Sequence, residues 1–173
     1  TPATFVAKKG HAVWLEAIQD LRESHGFRPK VVLCGDGPLF VALGAEVARR
    51  GLTDQVRIMP AIPHDKLVPL MASSQALVLP SLREPFGIAA AEAMALGTPC
   101  ILSDVDGLRE LAAGGDCALL VPPGDPQALV DAVLRLRSEP GLAADLADKG
   151  RRRVRSNFDM PICAANWIAA LEG

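Results

Sequence analysis

Glu84 and Glu92 stand with seven residues between them in the run LREPFGIAAAEAMALG, residues 82–97. Around Glu92 the side chains are almost all small and apolar, as in a helix built for burial. An acid in such a helix needs a partner. Gly87 sits where the helix begins, so the backbone N–H groups of Phe86, Gly87 and Ile88 would lack intrahelical acceptors and face the cleft beyond the preceding strand. Such a helix start favours anions, and a glycine lets a ligand approach the backbone. Ala89, Ala90 and Ala91 are small enough to seat the helix closely on a sheet. The stretch therefore reads as a phosphate seat made without GxxxxGK[ST], and no GxGxxG follows a strand. Acids repel phosphate, so Glu84 and Glu92 match hydroxyl groups instead. A carboxylate can accept both hydrogen bonds of a vicinal diol. A nucleotide with its phosphates at Gly87 would bring its ribose to Glu92, roughly one and a half turns inside the helix. Glu84 would then hold hydroxyls of whatever hangs from the phosphates.

The elements that must position these residues follow an alternating pattern. KVVLCG (30–35), QVRIM (55–59), ALVLP (76–80), PCILS (99–103) and CALLV (117–121) are continuous apolar runs, as in strands buried on both faces. Helices are expected over His11–His25, Leu39–Arg50, 64–73 (with Pro69 awkward inside it), Gly87–Leu96, Leu108–Ala113, Pro126–Ser138, Leu142–Ser156 and Pro161–Leu171. Asp125 and Pro126 form a cap and first-position pair. This order predicts an α/β domain with a doubly wound parallel sheet of about five to six strands flanked by helices, Rossmann-like in form. Ligands of such sheets bind beyond the carboxyl ends of the strands. The loops there, GDGP (35–38), PAIPHD (60–65), PSLREPFG (80–87), SDVDG (103–107) and PPGD (122–125), are rich in Gly, Pro and Asp. The opening TPATFVAKKG reads as the tail of a strand and a loop, which makes residues 1–173 a single domain expected to belong to a longer protein.

The bulk properties exclude several classes. The 173 residues suit one domain with a substantial core. Half are hydrophobic and the net charge is −2, which argues against a disordered chain and gives no electrostatic case for a nucleic-acid partner. No apolar run approaches the ~20 residues that span a bilayer, and no secretory signal opens the chain. Cys34, Cys100, Cys117 and Cys163 are scattered without zinc-type spacing and read as buried free thiols of a reducing cytosol.

The block LPSLREPFGIAAAEAMALGTPCILSDVDGLREL resembles the carboxyl-terminal, donor-binding domain of family 4 retaining glycosyltransferases, which have the GT-B fold and a Glu-x7-Glu signature. The likeness continues through KKG, VVLCGDGPL, ALVLPS, LLVPPGDPQALVDAV and GRRRVRSNFDM, in the family's order. The resemblance implies a nucleotide-diphosphate sugar as donor, with no cofactor and no metal. Glu92 would hold the ribose hydroxyls, and Glu84 those of the donor sugar. The amides of Phe86, Gly87 and Ile88 would meet the sugar and diphosphate. Lys9 matches the lysine that neutralises the diphosphate leaving group. Ile62 would border the base, and Gly35 and Gly37 belong to the Gly-Asp-Gly-Pro turn near the donor. Two positions depart from the pattern: Thr4 stands where the family usually has a second basic residue, an arginine, and Pro60 where it usually has a glycine. The acceptor site would lie in an amino-terminal domain of the same protein. This stretch alone is accordingly expected to be inactive as a transferase. The whole protein is expected in the cytoplasm, with peripheral contact at the inner face of the membrane.

Other readings compete. Glu84 and Glu92 as a hydrolytic acid/base pair would need the separation of glycosidase carboxylates; eight helical residues would place them ~12 Å apart, though the loop at Pro85 could shorten this. A sugar-nucleotide epimerase or phosphorylase, or a non-catalytic nucleotide-sugar binding module, would keep the same domain. Asp104 and Asp106 could hold Mg²⁺ but read better as turn and cap residues. His11, His25 and His64 are expected to cap helices or meet solvent. RRRVR (151–155) is expected on a solvated helix face. Trp167 and Ile168 pack either on another domain or on this domain's own core.

Overall fold

The computed structural model describes residues 1–158. The expected helix over 161–171, with Trp167, Ile168 and Cys163, lies outside these residues. The strands are β1 (Val31–Cys34), β2 (Val56–Met59), β3 (Leu77–Leu79), β4 (Cys100–Ser103) and β5 (Leu119–Val121). The helices are α1 (His11–Glu23), α2 (Phe40–Arg49), α3 (His64–Ala72), α4 (Ile88–Leu96), α5 (Asp106–Leu111), α6 (Pro126–Ser138) and α7 (Leu142–Asn157). α3 runs through Pro69, and α5 begins before the expected Leu108.

All the strand pairs are parallel. β1 pairs with β2, Val31 opposite Val56, and β4 lies between β3 and β5, with Leu77 opposite Cys100 and Ile101 opposite Leu119. The ladder is thus in two parts of two and three strands, and among the described residues no hydrogen-bonded strand joins β1 to β3. The chain start lies beside β1, where Pro2 bridges Cys34 in parallel.

Alternate residues of the strands enter different cores. Val78, Ile101, Leu119 and Val121 pack with α1 and α6, while Leu77, Leu79, Cys100 and Leu102 pack with Ala90, Ala93, Met94 and Leu108 of α4 and α5. Both faces of β3–β5 are therefore covered, which is why these strands read as unbroken apolar runs. Burial of one such Leu or Ile contributes ~1.5–3 kcal/mol. Cys34, Cys100 and Cys117 are free and buried, and burial pushes the Cys100 thiol up to about 12. No described helix is long and apolar enough to cross a membrane.

Candidate functional site

The amino-terminal segment brings Lys9 to the site. Phe5 N–H donates to the Asp36 carbonyl at 2.8 Å, and Leu39 N–H to the Phe5 carbonyl at 3.1 Å. Gly35 and Gly37 permit this approach: a Cβ on Gly35 would lie 1.9 Å from the Ala3 carbonyl oxygen, and one on Gly37 2.6 Å from that of Phe5. A 3₁₀ turn, Ala7–Lys9, then ends at Gly10 in the left-handed region (φ 68°). A Cβ on Gly10 would meet the Pro80 carbonyl oxygen at 1.9 Å, and Leu82 N–H donates to the Lys8 carbonyl at 2.7 Å. The KKG turn is thereby fastened to the loop after β3.

In that position Lys9 Nζ donates to Glu84 Oε2 at 2.5 Å across 75 positions of sequence. Their side chains are 17% and 10% exposed, so the charges face each other largely out of solvent. Buried Ser81 donates its hydroxyl to the same Glu84 oxygen at 3.3 Å. Lys9, Glu84, Phe86, Gly87 and Ile88 line one cleft of about 370 Å³, together with Thr4. A second cleft, of about 880 Å³, lies between the two parts of the sheet and holds none of these candidate residues.

α4 opens on this cleft. Gly87 is its amino-terminal cap in the left-handed region (φ 92°) without a side-chain capping bond. The N–H groups of Ala90 and Ala91 both bond the Gly87 carbonyl, so the amides before Ala90 precede the helix's own bonds. Two neighbours press on Gly87 and its loop. A Cβ on Gly87 would lie 2.4 Å from Leu108 Cδ2, and one on Gly107 2.2 Å from the Pro85 carbonyl oxygen. α5 therefore packs closely against the Pro-Phe-Gly corner. The Phe86 ring meets Phe158 edge-on at 5.4 Å, and the Arg153 guanidinium lies 5.3 Å from the Phe158 ring centre.

Glu92 does not line the Lys9–Glu84 cleft. Its Oε1 is 2.9 Å from His64 Nε2, at the start of α3. Ile62, half-buried, lies two residues before His64 on the β2–α3 loop. Asp36 ties that loop to the β1 end by accepting from Ala61 N–H at 3.3 Å. The expected site residues thus divide between the Lys9–Glu84 cleft, Glu92 with its partner His64, Ile62 on the adjoining β2–α3 loop, and the supporting Gly35 and Gly37.

Several expectations are corrected. His64 touches Glu92 instead of only capping a helix or meeting solvent. His11 is 2% exposed, stacks edge-on against Phe5 at 5.0 Å and makes no hydrogen bond. Asp104 and Asp106 make no side-chain cap; Val105 occupies the cap position. The Asp104 carboxylate instead accepts from Arg109 at 2.5 Å, a bond that lowers its pKa. Among the described residues no three metal-capable side chains cluster. The basic run is only partly solvated: Arg153 donates to the Glu110 carbonyl at 3.0 Å, and Arg151 packs against Gly97 at the end of α4.

Sequence reasoning missed Ser81, His64, Asp36, Gly10 and Gly107 as parts of the site. Ser81 had a usable signal, a hydroxyl between a strand end and an acid three residues on. The others act through contacts between elements that no local spacing reveals.

Residues 2–153 match the model of glycosyl transferases group 1. The chain belongs to this family. It is 36% identical over 127 residues to MMP alpha-(1->4)-mannosyltransferase of Mycolicibacterium hassiacum, covering 73% of this chain and 31% of that protein. It is 32% identical over 142 residues to alpha-D-kanosaminyltransferase of Streptomyces kanamyceticus, covering 82% and 36%. Among solved structures it superposes on sucrose-phosphate synthase from Thermosynechococcus elongatus with a TM-score of 0.85 at 29% identity, covering 99% of this chain and 44% of that one. HepE of Anabaena in complex with UDP shares the fold, with a TM-score of 0.86 at 22% identity over 98% of this chain and 47% of that one. The chain spans less than half the length of these relatives.

Proposed function

We propose that this chain is the donor-binding domain of a family 4 retaining glycosyltransferase. In this reading it holds a nucleotide-diphosphate sugar, and the whole protein transfers the sugar to an acceptor such as a glycolipid or polysaccharide. The observation that carries the reading is the meeting of Lys9 and Glu84 at the amino end of α4. A cation, an acid and a row of backbone amides in one cleft suit a ligand with an anionic centre and hydroxyls beside it.

In the proposed reaction the bond between the sugar and the diphosphate breaks towards an oxocarbenium-like state, and negative charge grows on the leaving diphosphate. Lys9 and the α4 amides stabilise that charge, and no metal ion is required of the site. Glu84 orients the donor sugar through its hydroxyls. Glu92 holds the ribose diol and Ile62 borders the base. Gly35 and Gly37 hold the amino-terminal segment that delivers Lys9. The acceptor is assigned to an amino-terminal domain, so this chain alone transfers no sugar; transfer by residues 1–173 unaided would overturn that assignment. Peripheral contact of the whole protein with the inner membrane face belongs to the same reading, and co-sedimentation with anionic vesicles tests it.

A second reading, a nucleotide-sugar binding module without turnover, is favoured by Thr4, an uncharged residue in the cleft where the family usually has an arginine. Both readings require the nucleotide seat. Isothermal titration with UDP, GDP and ADP, then with their sugar conjugates, is expected to give saturable binding that prefers one base. No binding to any of them overturns the seat. Binding by the full-length protein with no turnover selects the second reading.

A further inference from the structure

The β2–α3 loop, which carries Ile62, is tied to three other parts of the chain. Cys34, at the end of β1, donates its thiol to the Pro60 carbonyl at 3.3 Å. Ala61 N–H donates to the Asp36 carboxylate of the Gly-Asp-Gly-Pro turn at 3.3 Å. His64, the first residue of α3, meets Glu92 of α4 at 2.9 Å. Pro60 and Pro63 restrict the backbone of the same stretch through their own rings. The loop is therefore held in place on its own, and its third tie ends on an acid of the proposed nucleotide seat.

The chemistry of that tie sets its direction. A carboxylate only accepts hydrogen bonds, so His64 Nε2 carries the hydrogen and donates it to Glu92 Oε1. This takes one of about four acceptor positions on the carboxylate. Oε2 has no hydrogen-bond partner among the described residues, so both hydroxyls of a vicinal diol can still be accepted while His64 stays bound. His64 and a diol are thus compatible partners of the same group. Without His64, no other described side chain holds the Glu92 carboxylate, which is 32% exposed. A ligand would then have to order a free glutamate side chain, at a cost in rotamer entropy. With His64 in place the carboxylate is oriented before the ligand arrives.

We propose that His64 is a positioning residue for the ribose grip. It orients Glu92 from the loop that borders the base, so that base loop and ribose acid act as one unit. The preference of the site for ribonucleotides over 2′-deoxynucleotides depends on it. This inference rests on the reading of Glu92 as the acid that holds the ribose. The His64 side chain is 67% exposed, so its truncation opens no core.

The test titrates the chain and its His64→Ala and His64→Gln variants with UDP, GDP and ADP and with their 2′-deoxy counterparts. His64→Ala is expected to weaken the preferred ribonucleotide by roughly five- to tenfold. It should leave the deoxy form nearly unchanged and so narrow the ratio between the two. His64→Gln places an amide N–H as many bonds from the backbone as Nε2 and should recover most of the loss. In a Glu92→Ala background, His64→Ala should add nothing. Equal losses for ribo and deoxy forms would reduce His64 to a support of the loop and overturn the proposal. An unchanged ratio in His64→Ala, beside a parent chain that prefers the ribo form, would overturn the proposal alone and leave the ribose assignment standing. A parent chain that binds both forms equally would remove that assignment, and the proposal with it.

Discussion

Glu92 and Glu84 are separated by their partners as well as by position. His64 engages Oε1 of Glu92, while Lys9 and Ser81 both act on Oε2 of Glu84. Two acids with different partners, a lysine and a serine for Glu84 and a histidine for Glu92, do not read as one hydrolytic pair, and the proposed division is ribose for Glu92 and sugar for Glu84. Glu92→Ala should therefore weaken binding of the bare nucleotide by roughly 1–3 kcal/mol, the worth of hydrogen bonds to a charged group. Glu84→Ala should leave bare-nucleotide affinity nearly unchanged and reduce the advantage of the sugar conjugate. Titration of both variants with nucleotide and nucleotide-sugar checks the division; equal losses for both ligands in both variants would dissolve it. The pair of acids around a helix start could be read from residue type and spacing within one segment, whereas Lys9 was named only through the resemblance to the family. His64 could not be read this way, because its role arises from α3 packing beside α4, and a histidine at a helix start looks the same wherever the helix leads.

At the scale of elements, glycines set where the loops meet. Gly10 lets the KKG turn touch Pro80, and Gly107 lets α5 touch the Pro-Phe-Gly corner. Gly107 does not need an unusual backbone, only the absence of a Cβ. In Gly107→Ala the new methyl would overlap backbone atoms of Pro85 and Phe86, which cannot swing away as a flexible side chain could. The corner must move, at a cost of about 1–3 kcal/mol as for other overpacked sites. The expected result is a lower Tm together with about tenfold weaker binding of diphosphate nucleotides, since Gly87 rides on the same loop. A lowered Tm with unchanged affinity would mean that α5 supports the fold but not the seat. The strands and most helices were legible from apolar runs and from caps such as Asp125, whose carboxylate accepts from Ala128 N–H. The early start of α5 was not. Asp104 and Asp106 look like cap residues before a helix at Leu108, yet Arg109 draws Asp104 aside and the helix begins at Asp106 itself.

For the whole molecule, the amino-terminal segment is the hinge between sheet and site: it lies along β1, carries Phe5 into the core and delivers Lys9 to the cleft. His11 follows directly and is buried against Phe5, with neither ring nitrogen bonded. Burial, the Thr1 ammonium and the Lys9 charge lower its pKa from 6.5 to about 4. Protonation of His11 therefore favours the unfolded chain, which binds that proton at higher pH. Its neutral form supports the fold fully above about pH 6.5, and that support is lost progressively as pH falls to about 4. With allowance for solvent screening the loss is about 2 kcal/mol. Carboxylates whose pKa values are lowered by arginine partners, such as Glu23 and Asp104, act in the same direction but mainly below this window. Urea midpoints measured from pH 8 to pH 4 should fall for this chain, and His11→Leu should flatten the portion between 6.5 and 4. The Thr1 ammonium, lowered by its own burial, would leave a residual slope between pH 8 and 5 in that variant. A variant curve parallel to the parent's throughout would show that His11 stays solvated enough to titrate normally. Phe5, Lys9 and the KKG turn would then not be held against α1 as tightly as the site requires.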